Sequence, residues 1–154
     1  MGTKISVTIP RFWNFSRQLR RQVGELLQDF PEELRSAAIM AASELVENAI
    51  KYGETVDEAD AKIEICLTDS ELVIAVTSGL VEPSVFRELQ VRLDEIRQSE
   101  DVFALYVAKA MESLKNNNGQ SQIGLHRIAS DGQFRLTATY EQSILTITAV
   151  RSLS

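Results

Sequence analysis

The stretch Ser43-Glu-Leu-Val-Glu-Asn-Ala-Ile-Lys-Tyr-Gly53 is the predicted end of a long helix. The helix begins at Pro31, which suits a first turn because its missing N–H has no partner there, and the final glycine is a natural left-handed cap. At about 100° per residue, Glu44, Asn48 and Lys51 lie within roughly 60° of one another. A separate apolar stripe consists of Leu34, Ala38, Ala41, Leu45, Ala49 and Tyr52. The sequence therefore predicts a helix with a core face and, beside it, a carboxylate, a carboxamide and an ammonium in a row.

This polar row has two interpretations. In the plain one it is a solvated helix face, where most charged side chains are found. In the other it is a nucleotide site, because a carboxylate orients or deprotonates a hydroxyl, an amide oxygen suits Mg²⁺ and an ammonium suits a phosphate. The string Glu44–Tyr52 favours the second interpretation. It resembles the N box of the GHKL superfamily, which contains histidine kinase ATPase domains, gyrase B-type and Hsp90-type ATPases, and bacterial anti-sigma factor serine kinases.

The resemblance implies a role for each member of the row. Glu44 would be the general base or the group that positions water. Asn48 would bind the Mg²⁺ that bridges the phosphates of ATP, and Lys51 would lie near those phosphates. Glu44 is thus the predicted catalytic residue, and Asn48 is the predicted metal ligand.

Two further stretches resemble the glycine boxes of that superfamily in part. Gly79 follows a predicted strand, as the first box does, but Thr77 stands where the superfamily has the Asp that binds the adenine amino group. Loss of such a charge-assisted bond costs on the order of 1–3 kcal/mol. Gly124-Leu125 resembles the second box, which opens a helix against the phosphates, but the usual additional glycine is Gln122. The predicted site is therefore degenerate, with nucleotide contacts at Asn48, Lys51, Thr77, Gly79, Gly124 and Leu125.

Hydrophobic periodicity predicts the other elements. Strands are expected at 4–9, 61–67, 71–77, 133–140 and 143–150, and further helices at 16–30, 84–98, 100–114 and 124–129. Ser84 is the expected N-cap of the helix 84–98, and residues 116–122 are the segment that most resembles a phosphate lid. The inward side of the helix 100–114 is expected to be Val102, Phe103, Tyr106, Val107, Ala110 and Met111. His126, the one histidine, is expected on the surface.

Hairpins interleaved with helices predict an α+β fold, a two-layer sandwich of one mostly antiparallel mixed sheet with helices on one face. The GHKL resemblance gives this layout the name Bergerat fold and makes residues 1–154 a single histidine kinase-like ATPase domain. A content of 44% hydrophobic and 25% charged residues is that of an ordinary soluble protein.

Charge and cysteine content exclude several classes of protein. A net charge of −6 argues against a general nucleic-acid binder, and no apolar segment is long enough to cross a bilayer. The single cysteine, Cys66, and the lack of a signal-like apolar run predict a cytoplasmic protein.

Three functions stay open at this point. The first is a bacterial regulatory protein of the anti-sigma or partner-switching type, which acts mainly by binding a protein such as a sigma factor or an anti-sigma antagonist. In such a protein the degenerate site would bind ATP and Mg²⁺ weakly, or would have lost the ability to bind them. The second is an active Mg-ATP-dependent serine/threonine protein kinase or ATPase, and the third is an oligomeric scaffold without a nucleotide. The sequence leaves the oligomeric state undecided, a homodimer included.

Overall fold

The computed structural model describes residues 3–9, 15–52, 61–79, 82–116 and 124–153. Each predicted strand and helix is present there, and the largest shift is at the first helix, which ends at Leu26 and not near residue 30. The elements are β1 Thr3–Ile9, α1 Phe15–Leu26, α2 Glu32–Tyr52, β2 Ala61–Leu67, β3 Glu71–Gly79, α3 Pro83–Gln98, α4 Val102–Asn116, α5 Gly124–Ser130, β4 Arg135–Glu141 and β5 Ile144–Ser152.

The five strands form one sheet in the order β1-β2-β3-β5-β4. All four pairings between these strands are antiparallel. In β3 every second side chain is buried, and Val76 lies between Ile63 of β2 and Ile147 of β5. One face of the sheet is therefore apolar and is covered by helices. The predicted two-layer α+β sandwich is confirmed, with a sheet that is antiparallel throughout its described strands.

The long helix α2 lies across the middle of this buried face. It packs against β2, β3, α1 and α5. Its residues Ala42, Leu45 and Val46 are all 0% exposed, and the small alanine side chain lets the helix approach the sheet closely. Of the predicted stripe, the members Leu34, Ala38, Ala41, Leu45 and Ala49 are buried, and the side chain of Tyr52 is outside the described residues. The buried side of α2 is broader than predicted, since Ala42 and Val46 also belong to it.

Local chemistry explains where several elements begin and turn. Pro83 occupies the first turn of α3 and Glu82 is the N-cap, with no side-chain capping bond, so the predicted cap at Ser84 is wrong. Asp101 caps α4, since its Oδ1 accepts a hydrogen bond from the backbone N–H of Ala104 at 3.0 Å. The hairpin between β4 and β5 turns at residues 142 and 143, both with positive φ, as a type I′ turn requires.

Within the described ranges, no helix combines the length and the apolar composition needed to span a membrane.

Candidate functional site

The structure brings the polar side of α2 against the first residue of α5. A Cβ built on Gly124 would lie 2.5 Å from Oε2 of Glu44 and 3.8 Å from Nδ2 of Asn48. The first distance is far below van der Waals contact, so glycine is the residue that fits without displacing the carboxylate. Glu44 and Asn48, about one turn apart on α2, therefore meet Gly124, which is distant in sequence, at one point, which we call the α2–α5 contact.

Two apolar side chains hold α5 in this position. Leu125 is 3% exposed and Ile128 is 0% exposed, and both belong to the main hydrophobic core. Leu125 was predicted to contact a nucleotide, but the structure places its side chain in the core, where it anchors the helix.

Glu44 is the electrostatically unusual group of the contact. Its partial burial raises the pKa of the carboxyl above the ordinary value, and the negative charge of Glu47 raises it further, while Arg127 opposes both effects. Arg127 Nη1 lies 3.3 Å from Glu44 Oε1, and its Nε lies 3.9 Å from Asp131 Oδ2. A carboxyl group with raised proton affinity in a semi-enclosed position is a candidate for acid–base chemistry or ligand contact.

Thr77 lies away from this contact, on the other face of the sheet. Its hydroxyl is 3.3 Å from the hydroxyl of Thr146, on the neighbouring strand. Strand side chains alternate between faces, so it is Ser78, 1% exposed, that points toward the helices. Sequence reasoning missed Ser78, although the alternation of β3 was the available signal. Gly79 is buried at the end of β3 and pairs with Ile144.

Two of the predicted features fall outside the described part of the chain. The backbone of Lys51 belongs to the last turn of α2, but its side chain is outside the described residues. Of the segment predicted as a phosphate lid, 116–122, the first residue belongs to the described part of the chain and the others lie outside it. The structure therefore tests neither of these two predictions.

The described residues by themselves supply few oxygen ligands for a Mg²⁺ ion. Magnesium takes six oxygen ligands in near-octahedral arrangement, and in nucleotide sites several of them are waters and phosphate oxygens. Asn48 supplies one amide oxygen, and the carboxylate of Glu44 already forms an ion pair with Arg127. Elsewhere in the described ranges, no group of three or more His, Cys, Asp or Glu side chains is placed to hold a metal ion.

His126 is buried, and the prediction of a surface histidine is wrong. Its side chain is 2% exposed, with Nε2 3.8 Å from Oε1 of Glu95. The same oxygen is 3.3 Å from Nζ of Lys109. Glu95 of α3 thus ties together α4 and α5, because its carboxylate approaches a side chain from each.

Helix α4 presents a second candidate site, an apolar surface that faces solvent. Phe103 is 62% exposed, Val107 38% and Met111 66%. They repeat every four residues, so they lie on one side of the helix, and the exposed Ala104 and Ala108 lie beside them. The prediction that Phe103, Val107 and Met111 point inward is wrong, since α4 packs through its other side. We call these five residues the outer α4 face.

Comparison with known proteins establishes the fold. No protein-family model matches this chain, and no curated protein sequence does. A chain in the crystal structure of the SiaB–SiaC complex from Pseudomonas aeruginosa has a similar structure, with a TM-score of 0.71 and 17% sequence identity. The match covers 96% of this chain and 88% of that chain. At this identity the likeness concerns the fold.

These findings correct the family assignment. The prediction of a GHKL protein is wrong on this comparison, since the fold matches a chain of the SiaB–SiaC complex and no GHKL family model matches. The labels Bergerat fold and histidine kinase-like ATPase domain rested on the same resemblance, and these comparisons give them no support. The string Glu44–Tyr52 has a structural explanation, because Leu45, Val46 and Ala49 are core residues and the polar positions follow from helical spacing.

Proposed function

We propose that this chain is a regulatory protein that acts by binding another protein through the outer α4 face. The main observation in support of this proposal is that α4 is apolar on the side that faces solvent. Of its exposed residues in the described range, five belong to the outer α4 face and the sixth is Glu112. A helix that is apolar on every side is normally buried, and a contiguous exposed apolar patch usually marks a protein contact. A protein partner over α4 would remove this surface from water.

The fold supports a regulatory role of this kind. The matching chain comes from a structure of two proteins in complex, SiaB and SiaC. We propose that the present chain belongs to a partner-switching system of the anti-sigma type. Its partner would then be a sigma factor or an anti-sigma antagonist, as the sequence suggested.

We also propose that ATP and Mg²⁺ bind weakly or not at all. Supporting observations are that Thr77 lies on the face of the sheet opposite the described helices, that Leu125 is in the core, and that the carboxylate of Glu44 forms an ion pair with Arg127. Isothermal titration with ATP and Mg²⁺ tests this. A dissociation constant in the micromolar range or below would contradict it.

One observation favours an alternative, an ATP-dependent protein kinase. The raised pKa of Glu44 is the property that a general base needs. Incubation with labelled ATP and the isolated partner separates the two functions. Transfer of phosphate to the partner that is lost in Glu44→Ala would support the kinase, and absence of transfer removes it.

The main proposal is tested by variants of the outer α4 face. Phe103→Ser combined with Met111→Ser removes the two most exposed large side chains of the face, and Val91→Ser is the matched control. Val91 is also 66% exposed but lies on α3. The tagged chain is used to isolate partners from its own host, and binding of the purified partner is then measured by titration.

We expect the double variant to weaken this binding by at least about tenfold, as loss of an interface anchor does, and the control to leave it unchanged. All three proteins should keep the same far-UV circular dichroism, because both positions are largely exposed already. Equal affinity of the double variant and the unmodified chain would overturn the proposal.

A further inference from the structure

The chemistry around the outer α4 face identifies the kind of partner segment it takes. We infer that the occupant is an amphipathic helix of another protein, apolar on one side and flanked by lysine or arginine, and not a second copy of this chain. This inference rests on the proposed function, in which the outer α4 face is the binding surface. It adds the shape and the charge of what binds there.

The shape of the face suits a helix. Phe103, Val107 and Met111 form a ridge at i, i+4 and i+8, and Ala104 and Ala108 form a parallel row of small residues beside it. Helices dock by placing such i±4 ridges into the grooves of a neighbour. The row of alanines is the groove, since their short side chains leave room for a larger side chain of the partner. Recognition of an amphipathic helix along such a surface is a recurring binding mode.

The charge beside the face is acidic. Glu100 and Asp101 stand just before α4, and Glu112 follows Met111. The described side chains from 94 to 112 include two cations, Arg97 and Lys109. Both cations already have carboxylate partners on α3. Arg97 Nη2 is 2.7 Å from Asp94 Oδ1, and Lys109 Nζ is 3.3 Å from Glu95 Oε1. The corner between α3 and α4 therefore attracts a partner with basic flanks.

The same charges disfavour a second copy. Among the described side chains, antiparallel packing of two α4 helices would bring Glu112 of each near Glu100 and Asp101 of the other. A parallel arrangement would place each acidic group near its own counterpart. These groups repel within the Debye length of about 8 Å at physiological salt, and the net charge of −6 on each chain adds to the effect.

The inference is tested with two synthetic helical peptides that share one apolar side. The first has lysine at every flanking position and the second has glutamate there. Their binding to the full chain is measured by fluorescence anisotropy at about 50 mM and about 500 mM salt. Sedimentation velocity of the chain alone, at about 100 µM, measures self-association under the same conditions, a concentration at which an interface of micromolar affinity would be visible.

We expect the basic peptide to bind about tenfold or more tightly than the acidic one, and we expect high salt to reduce the difference. Glu100→Lys with Glu112→Lys should reverse the preference, and the milder change of both residues to Gln should remove it. The chain alone should sediment as a monomer. Equal binding of the two peptides, binding of neither, or a dimer that Phe103→Ser dissociates would each overturn the inference.

The native partner separates failure of the inference from failure of the proposed function. If Phe103→Ser with Met111→Ser abolishes partner binding while Glu100→Lys with Glu112→Lys leaves it unchanged, the surface is right and the inferred charge is wrong. If neither double variant affects partner binding, the proposed function itself fails. Asp101 is left unchanged in these variants because its carboxylate caps α4.

Discussion

Alanine substitutions at two glycines of one region give a direct test of the α2–α5 contact. At Gly124 the new Cβ would meet Glu44 Oε2 at 2.5 Å. At Gly132 it would meet the backbone oxygen of Ile128 at 2.6 Å and Cδ2 of Phe134 at 2.8 Å. The two clashes are similar in distance but differ in what has to move, since one obstacle is the end of a flexible side chain and the other is backbone and core.

The expected magnitudes follow from this difference. For Gly124→Ala, Glu44 rotates away and loses its ion pair with Arg127, which costs about 0.2–1 kcal/mol for a pair of this exposure. The helix propensity of alanine offsets part of that loss at the start of α5. Gly132→Ala leaves no such escape, so overpacking should lower the free energy of unfolding by about 1–3 kcal/mol or more.

A double-mutant cycle with Glu44→Ala isolates the contact. Once the carboxylate is removed, Gly124→Ala has nothing to displace, and its cost should fall to zero or become a small gain from helix propensity, a coupling of roughly 0.2–1 kcal/mol. Urea unfolding at neutral pH, followed by far-UV circular dichroism, measures all four proteins of the cycle. Gly132→Ala should cost the same with or without Glu44, because its clash does not involve that side chain. An equal cost of Gly124→Ala in both backgrounds would refute the packing of α5 on α2.

Four further substitutions test other parts of the structure. Gly24→Ala should raise the free energy of unfolding by about 0.5–1 kcal/mol, because Gly24 is inside α1 and nothing lies within 4 Å of the added methyl group; a loss of stability in urea titration would speak against this. Glu44→Gln should gain stability relative to the unmodified chain as the pH rises from roughly 4 to 7. Because the pKa of Glu44 is raised in the folded protein, ionisation of this carboxyl lowers the stability of the fold. The loss is absent below the ordinary pKa of 4.5 and complete above the pKa in the folded state. Thermal unfolding of both proteins across this pH range measures the loss, and a difference in stability that does not change with pH would contradict the prediction. Arg151→Met should cost about 1–3 kcal/mol, since Nη1 donates to the carbonyl of Gly132 at 3.0 Å and the side chain is 12% exposed. Arg151 also forms an ion pair with Glu33, with Nη2 2.9 Å from Oε1. Glu33→Gln, at the exposed end of this pair, should cost less than about 1 kcal/mol, and losses equal to those of Arg151→Met would show that the pair itself dominates.

The sequence alone determined the elements and the architecture. The strands alternate in polarity with a period of two and most helices carry an apolar stripe, and such local patterns depend only on neighbouring residues. The described part of the α2 stripe was identified correctly, because Leu34, Ala38, Ala41, Leu45 and Ala49 are all buried in the structure. The same reasoning failed for α4, which has apolar residues on both sides, so periodicity could not show which side packs inward.

The tertiary structure alone decided which residues meet. The contact of Gly124 with Glu44 joins positions that are far apart in the chain, and only the docking of α5 by Leu125 and Ile128 creates it. The sheet register likewise sends Thr77 to one face and Ser78 to the other, a one-residue difference that alignment on a glycine missed. The residue pattern of a helix can result from core packing as well as from a role in a functional site, so the sequence Glu44–Tyr52 by itself suggested the wrong family. Only the folded structure shows which side of α4 faces solvent, because burial depends on how all the elements pack together and not on a local sequence pattern.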